Sequence, residues 1–167
     1  MALTSSGTAR VTLPTDEQIL ITREFDAAKD LVFKAFTTPE LVKSWWHAKR
    51  GEMTVADIDL HVGGRYRFVA VAHDGMEVGF HGEYREIVPN ERIVSTEFYE
   101  GVPEGVSEDD ATTLNTATFT EAGGRTKLTI LIEAKNRMTR DAIIDSGMED
   151  GLQDALELLE QVALSVR

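Results

Sequence analysis

The chain contains no cysteine. Disulfides and thiolate metal sites are excluded, and the composition fits a reducing, cytoplasmic setting. No run of ~18 apolar residues occurs, so no helix is expected to span a membrane. The opening stretch, MALTSSGTARVTLP, has no long apolar core, and a secretory signal is not expected. Basic residues are also scarce. Seventeen Lys and Arg stand against twenty-nine Asp and Glu, a formal net charge of −12. That field repels phosphate backbones and anionic lipid surfaces, which disfavours nucleic-acid and membrane partners. The plainest reading of the charge is solubility.

What is present reads as one domain. The 167 residues match the length of a single ordinary unit, large enough to bury a core without staples. Residues 1–15 are small and polar and read as a flexible lead-in, leaving 16–167 as the folded domain. Gln18–Phe25 alternates as a first strand, with Ile19, Ile21 and Arg23 on one side. Asp26 is a candidate N-cap for a helix carrying Leu31, Val32, Ala35 and Phe36 at helical spacing. Pro39 closes that helix and opens a second, because proline suits a first turn; it runs to Trp45-Trp46-His47. The period then becomes strand-like, and six strands follow, punctuated by Gly63-Gly64, Asp74-Gly75, Pro89-Asn90 and Gly123-Gly124. Residues 100–110 form an acidic loop between two of them. The last ~30 residues read as a single amphipathic helix, with Ile144, Met148, Leu152, Ala155, Leu159 and Val162 on its apolar stripe. The class is α+β: an antiparallel meander with one long helix packed on one face.

The hairpin at Asp74-Gly75 decides which side chains share a face. A two-residue turn sets Phe68 opposite His81 and separates Phe68 from Phe80. A three-residue loop sets Phe68 opposite Gly82, Tyr66 opposite Tyr84 and Ala70 opposite Phe80. The second register is preferred because it gathers the aromatics on one face and pairs Arg67 with Glu83, although it sets Arg65 against Arg85.

The ordered motifs ITREFDAAKDLVFKAFTTPELVKSWW, DIDLHVGGRYRF, DGMEVGFHGEYREIVPNERIV, GGRTKLTI and SGMEDGLQDALELL resemble the START-like superfamily, also called SRPBCC. Within it they are similar to the group named after the C-terminal domain of the activator of the heat-shock protein 90 ATPase. The resemblance spans about residues 17–165. It implies a helix-grip fold, with a seven-stranded curved antiparallel sheet wrapped around the C-terminal helix and two short helices after the first strand. It also implies a cavity between sheet and helix that takes hydrophobic small molecules. Two places depart from the group's usual pattern: His47-Ala48 where Gly-Pro commonly follows Trp-Trp, and His61-Val62 before Gly63-Gly64 where Arg-Pro is common.

The candidate ligand-binding wall is Trp45, Trp46, Tyr66, Phe68, Phe80, Tyr84 and Phe98, with Met148 and Leu152 from the helix. Adjacent tryptophans on a helix point ~100° apart, so one of the pair belongs to the core. Glycines at 79, 82, 147 and 151 mark either close backbone approach or room left for a ligand. His47, His61, His73 and His81 show no metal-ligand spacing, so no metal or cofactor is expected. Tyr66, Tyr84, His47 and Glu97 are the groups that could polarise a carbonyl or move a proton, but no paired-carboxylate or Ser/His/Asp pattern supports catalysis. The leading expectation is a binding protein for a hydrophobic small molecule. The alternatives are a co-chaperone-like partner of a heat-shock chaperone ATPase and a cavity enzyme acting on a small carbonyl substrate. An exposed edge strand, at Gln18–Phe25 or at the acidic-loop end, offers a surface for a homodimer.

Overall fold

The computed structural model describes residues 9–47 and 50–166. Eight strands form one antiparallel sheet. They are β1 (Arg10–Thr12), β2 (Gln18–Phe25), β3 (Gly51–Ile58), β4 (Arg65–Ala72), β5 (Glu77–Val88), β6 (Arg92–Tyr99), β7 (Thr113–Ala122) and β8 (Arg125–Glu133). Their spatial order is β1-β2-β8-β7-β6-β5-β4-β3. Helices α1 (Lys29–Thr37) and α2 (Pro39–Val42) follow β2, α3 (Glu108–Ala111) precedes β7, and α4 (Arg137–Asp145) and α5 (Met148–Ser165) close the chain. The sheet curves around α5, which is the helix-grip arrangement. Among the described residues, no helix is long and apolar enough to cross a membrane.

Several expectations change. Part of the anticipated lead-in is a strand: Val11 pairs with Ile21 and is fully buried. The sheet therefore has eight strands rather than seven, and Gln18–Phe25 lies inside it, between β1 and β8. Because β1 pairs along Leu20–Thr22, Gln18–Phe25 is not the free edge strand expected for a homodimer. The C-terminal helix is two helices. Gly147 takes a left-handed φ of 83° between α4 and α5, a conformation glycine adopts without steric penalty. The acidic loop contains the turn α3, capped by the Ser107 hydroxyl, which accepts from the Asp110 amide. Asp26 is not a cap; the N-cap of α1 is Ala28, and Asp26 accepts from Arg125 at 2.7 Å.

Cross-strand partners share a face, so the register traces the concave surface strand by strand. Ile19, Ile21 and Arg23 of β2 oppose Ile132, Ile130 and Leu128 of β8. These oppose Asn115, Ala117 and Phe119 of β7, which lie beside Ser95 and Ile93 of β6. Two register shifts, at Thr54 in β3 and Arg85 in β5, bend the sheet locally, as bulges do. The second leaves Tyr84 and Ile87, three residues apart, on the same concave side.

The core is densest toward one end. Phe119 meets Phe33 and Phe36 edge-on at 5.4 and 5.6 Å, the favoured geometry for aromatic pairs. The buried Thr126 hydroxyl donates to the Ala27 carbonyl at 2.6 Å, pinning the entry to α1. Leu156, Leu159 and Ala163 of α5 are buried in this cluster. Arg23, buried on the concave face, is met by Glu160 of α5 at 3.5 Å. The first half of α5 differs: Met148, Leu152 and Ala155 are only partly covered. Polar clamps hold that half. Gln153 exchanges two hydrogen bonds with the Ala9 backbone, and Asp154 pairs with Arg50 at 3.3 Å.

A paired truncation tests this asymmetry. Leu159→Ala should lower unfolding stability by about 2–5 kcal/mol, the usual loss for a buried leucine. Leu152→Ala, one and a half to two turns earlier on the same stripe, should cost less than about 1 kcal/mol. Equal losses in urea titrations would mean that α5 is packed uniformly along its length.

Candidate functional site

The concave face of β4–β6 carries a continuous row of rings. Tyr84 lies 5.4 Å from Tyr66, and Tyr66 lies 5.3 Å from Phe68. Trp46 covers Phe68 at 5.5 Å and meets Phe80 edge-on at 5.6 Å, and Phe80 lies 5.1 Å from Tyr99. The hairpin register that produces this row differs from the preferred one. His73, Asp74 and Gly75 form the loop, Ala72 faces Met76, and Phe68 pairs with Phe80. The displacement is two residues, an even number, so every side chain keeps its face. It also removes the Arg65–Arg85 clash, because Arg65 now opposes Glu83.

Two of the proposed wall residues lie elsewhere. Trp45 is buried in the helical layer. Its indole N–H donates to the Ala35 carbonyl at 2.9 Å, and its ring stacks on Phe36 at 5.7 Å. Trp46 alone of the pair faces the aromatic row. Phe98 pairs with His81, so it stands on the outer face. There His81 bridges Glu100 (2.7 Å) and Glu108 (3.2 Å), and Arg67 donates twice to Glu100. The Arg67 and His81 hydrogen bonds pull the Glu100 carboxyl down to about 2, and the Glu100 bond raises His81. Phe98 therefore shares a surface with an exposed charge network.

With Phe98 outside, the alternation along β6 sends Ser95 and Glu97 inward. Glu97 is the unusual member of the site. Burial raises its carboxyl to about 7, as desolvation disfavours the charged form. The residue is half-buried on the concave face. Asn115 Nδ2 donates to its Oε2 at 3.3 Å, and Thr113 donates to Asn115 at 2.9 Å. Among the described residues, no basic side chain is paired with it. Tyr66 is pushed up by burial and by Glu97 and Tyr84 nearby; Tyr84 is raised by burial. Both phenols therefore stay protonated at neutral pH.

Tyr66 is held by the strand beyond its neighbour. Its ring lies over Gly82 of β5, and its hydroxyl donates to the Thr96 carbonyl of β6 at 2.6 Å. A Cβ at Gly82 would meet that carbonyl and come within 2.7 Å of the Tyr66 ring, so this glycine serves close approach. Gly151 differs: a Cβ there would find only Arg50 Nε, 3.9 Å away. At the rim, His47 takes a left-handed φ of 55°, a conformation L-residues seldom adopt. Burial and Arg50 lower its imidazole, and it lies against Trp46 at 4.4 Å.

The family model described as Activator of Hsp90 ATPase homolog 1-like protein matches residues 26–163. The chain belongs to this family. Solved structures agree on the fold. A Rhodobacter sphaeroides protein, 23% identical, superposes with a TM-score of 0.83 over 95% of this chain and 99% of its own. An Arthrobacter aurescens protein, 20% identical, reaches 0.79 over 93% and 91%. A Nitrosomonas europaea protein, 18% identical, reaches 0.78 over 93% and 99%. No curated protein is significantly similar in sequence. Within the family frame, the left-handed His47 stands where glycine commonly follows Trp-Trp, which gives that glycine preference a backbone reason.

Glu97 was visible in sequence as a titratable candidate, but nothing there showed its depth. Its ionisation leaves a measurable trace. The folded protein keeps a proton to about pH 7 that the unfolded chain releases near 4.5. The carboxyl therefore lowers stability progressively as pH rises through that window, and by a constant amount above it. Glu97→Gln should remove this decline. Urea midpoints at about pH 5 and about pH 8 should show the wild type losing more than the variant, by up to about 3 kcal/mol. Identical losses would show that Glu97 ionises normally.

Proposed function

We propose that the protein binds a small apolar or amphipathic molecule between the concave face of β3–β6 and the first half of α5. The observation that carries this reading is the incomplete cover of side chains that point inward. Trp46, Phe68, Ile58, Ile130, Ile132, Met148 and Leu152 are all partly exposed although they pack against the core, while Leu156, Leu159 and Ala163 of α5 are buried. Aromatic and aliphatic walls with a few inward polar groups are the usual lining of a small-molecule site. Tyr66, Tyr84, Ser95, Glu97 and Asn115 supply those polar groups. The family membership and the fold are consistent with this role.

N-phenylnaphthylamine, a neutral fluorescent probe, tests the reading. Its emission should rise on binding, with transfer from Trp46. Leu152→Trp should fill the space and weaken binding at least about tenfold, while near-ultraviolet circular dichroism confirms an intact fold. Absence of enhancement in the wild type, or unchanged affinity in the variant, would remove the proposal.

A second reading, proton transfer on a small carbonyl substrate, is favoured by a carboxyl poised at about 7, where a general acid–base group works best. Turnover of p-nitrophenyl acetate that is lost in Glu97→Gln would support it. Absence of turnover, or turnover equal in the two proteins, would end it.

A further inference from the structure

Among the described residues, the Glu97 carboxyl accepts one hydrogen bond, from Asn115 to Oε2. Its other oxygen has no protein donor among the described residues. The other buried charges are matched: Arg23 meets Glu160, and Arg140 holds Asp141 at 2.8 Å while also donating to the Thr15 carbonyl. A deep carboxyl without a cation is expensive to keep ionised, and protein chains normally pair or replace such groups. Around this one stand Tyr66 and Tyr84, and neither can supply a cation. The Tyr66 hydroxyl is already spent on Thr96, and the Tyr84 hydroxyl forms no hydrogen bond to protein among the described residues. Phe68 and Trp46 continue the row of rings beside them, and aromatic faces carry negative π-density. The chain's net charge of −12 favours the approach of a cation.

We propose that the site selects an apolar amine, a ligand whose ammonium group hydrogen-bonds the free oxygen of Glu97 while its hydrophobic body lies along Tyr66, Phe68, Trp46 and Phe80. This deepens the cavity reading and rests on it. The ammonium supplies the missing counter-charge, and the tyrosine rings add cation–π attraction. A neutral ligand of the same shape would gain the apolar contacts only. Two groups beside Glu97, Ser95 and Asn115, are uncharged, and the two phenols stay protonated. Glu97 is therefore the group at this end of the site that titrates near neutrality, with His47 titrating separately at the rim.

The test compares naphthylethylamine with naphthylethanol, which have the same ring body and differ in charge, by calorimetry at about pH 8. The amine should bind at least about tenfold more tightly, the range for a hydrogen bond to a charged partner. Its affinity should rise between about pH 6 and about pH 8 as Glu97 ionises, and Glu97→Gln should abolish both the preference and the rise. If the alcohol binds as well as the amine, or if folded Glu97→Gln keeps the preference, the amine inference is wrong and the cavity reading survives. If both naphthyl probes fail while N-phenylnaphthylamine binds, the inference also fails alone. If no probe binds, both readings fall together. The comparison within the wild type stands even if the variant does not fold.

Discussion

The hydrogen bond from Tyr66 to the Thr96 carbonyl organises this half of the molecule. To make it, the tyrosine ring must cross an entire strand, and only a residue without a Cβ can lie beneath it. Gly82 meets that requirement. The bond joins three strands through one side chain and lays the ring flat on the concave face. Phe68, two residues along β4, then presents its ring beside Tyr66, and Trp46 covers Phe68. Thr96 and Glu97 are neighbours on an extended strand, so they point to opposite faces. The Thr96 side chain faces outward, where its hydroxyl accepts from the Glu83 amide at 2.9 Å, and the Glu97 carboxyl faces the site. One strand-crossing contact thus couples the aromatic wall to the polar end.

The grip of α5 is uneven for a similar local reason. Leu156, Leu159 and Ala163 point into the cluster formed by β2, β7, β8 and α1, and that burial supplies most of the helix's anchoring. Its first turns are positioned differently. Gly147 breaks the axis, and exchanged backbone bonds to Ala9 and an ion pair to Arg50 hold the helix from its flanks. Hydrogen bonds of this kind fix direction without filling volume. The helix can therefore stand off the sheet there, and its half-covered leucine and methionine follow from that geometry.

Most of the architecture was legible because it rests on periodicity. Alternation in Gln18–Phe25 and the two-residue Gly123-Gly124 hairpin appear as read, the latter with φ of 62° and 79°. The helix break was missed because the apolar stripe runs from Ile144 to Leu152 without interruption, and only the Ser146-Gly147 pair signals a stop. β1 was missed because a three-residue strand shows no period of its own; its pairing is a tertiary fact. In the hairpin at 73–75, parity survived where the exact pairing did not, since faces depend only on whether a slip is odd or even. The tryptophan pair could be divided in principle, because one had to be core, but the Ala35 carbonyl that claims Trp45 is visible only in three dimensions.

Phe98 and Glu97 carry the deepest lesson of the site. Hydropathy puts the phenylalanine inside and the glutamate outside, and the structure does the reverse. The pairing of Phe80 with Tyr99 and of His81 with Phe98 leaves no alternative once the β5–β6 register is set. Shifting β6 by one residue would bury Phe98 and expose Glu97, but it would also turn Ile93 and Tyr99 outward and Val94 and Thr96 inward. The wider pattern thus outvotes the single pair, and the chain retains a carboxyl where an apolar residue would be more stable. Places where a local rule is broken against the wider pattern tend to be functional, and Glu97 is such a place, a concave-face carboxyl that, unlike Arg23, has no ion-pair partner among the described residues. Glu97 is therefore the residue whose presence the fold does not explain, and the proposed ligand is the account that gives its carboxylate a partner.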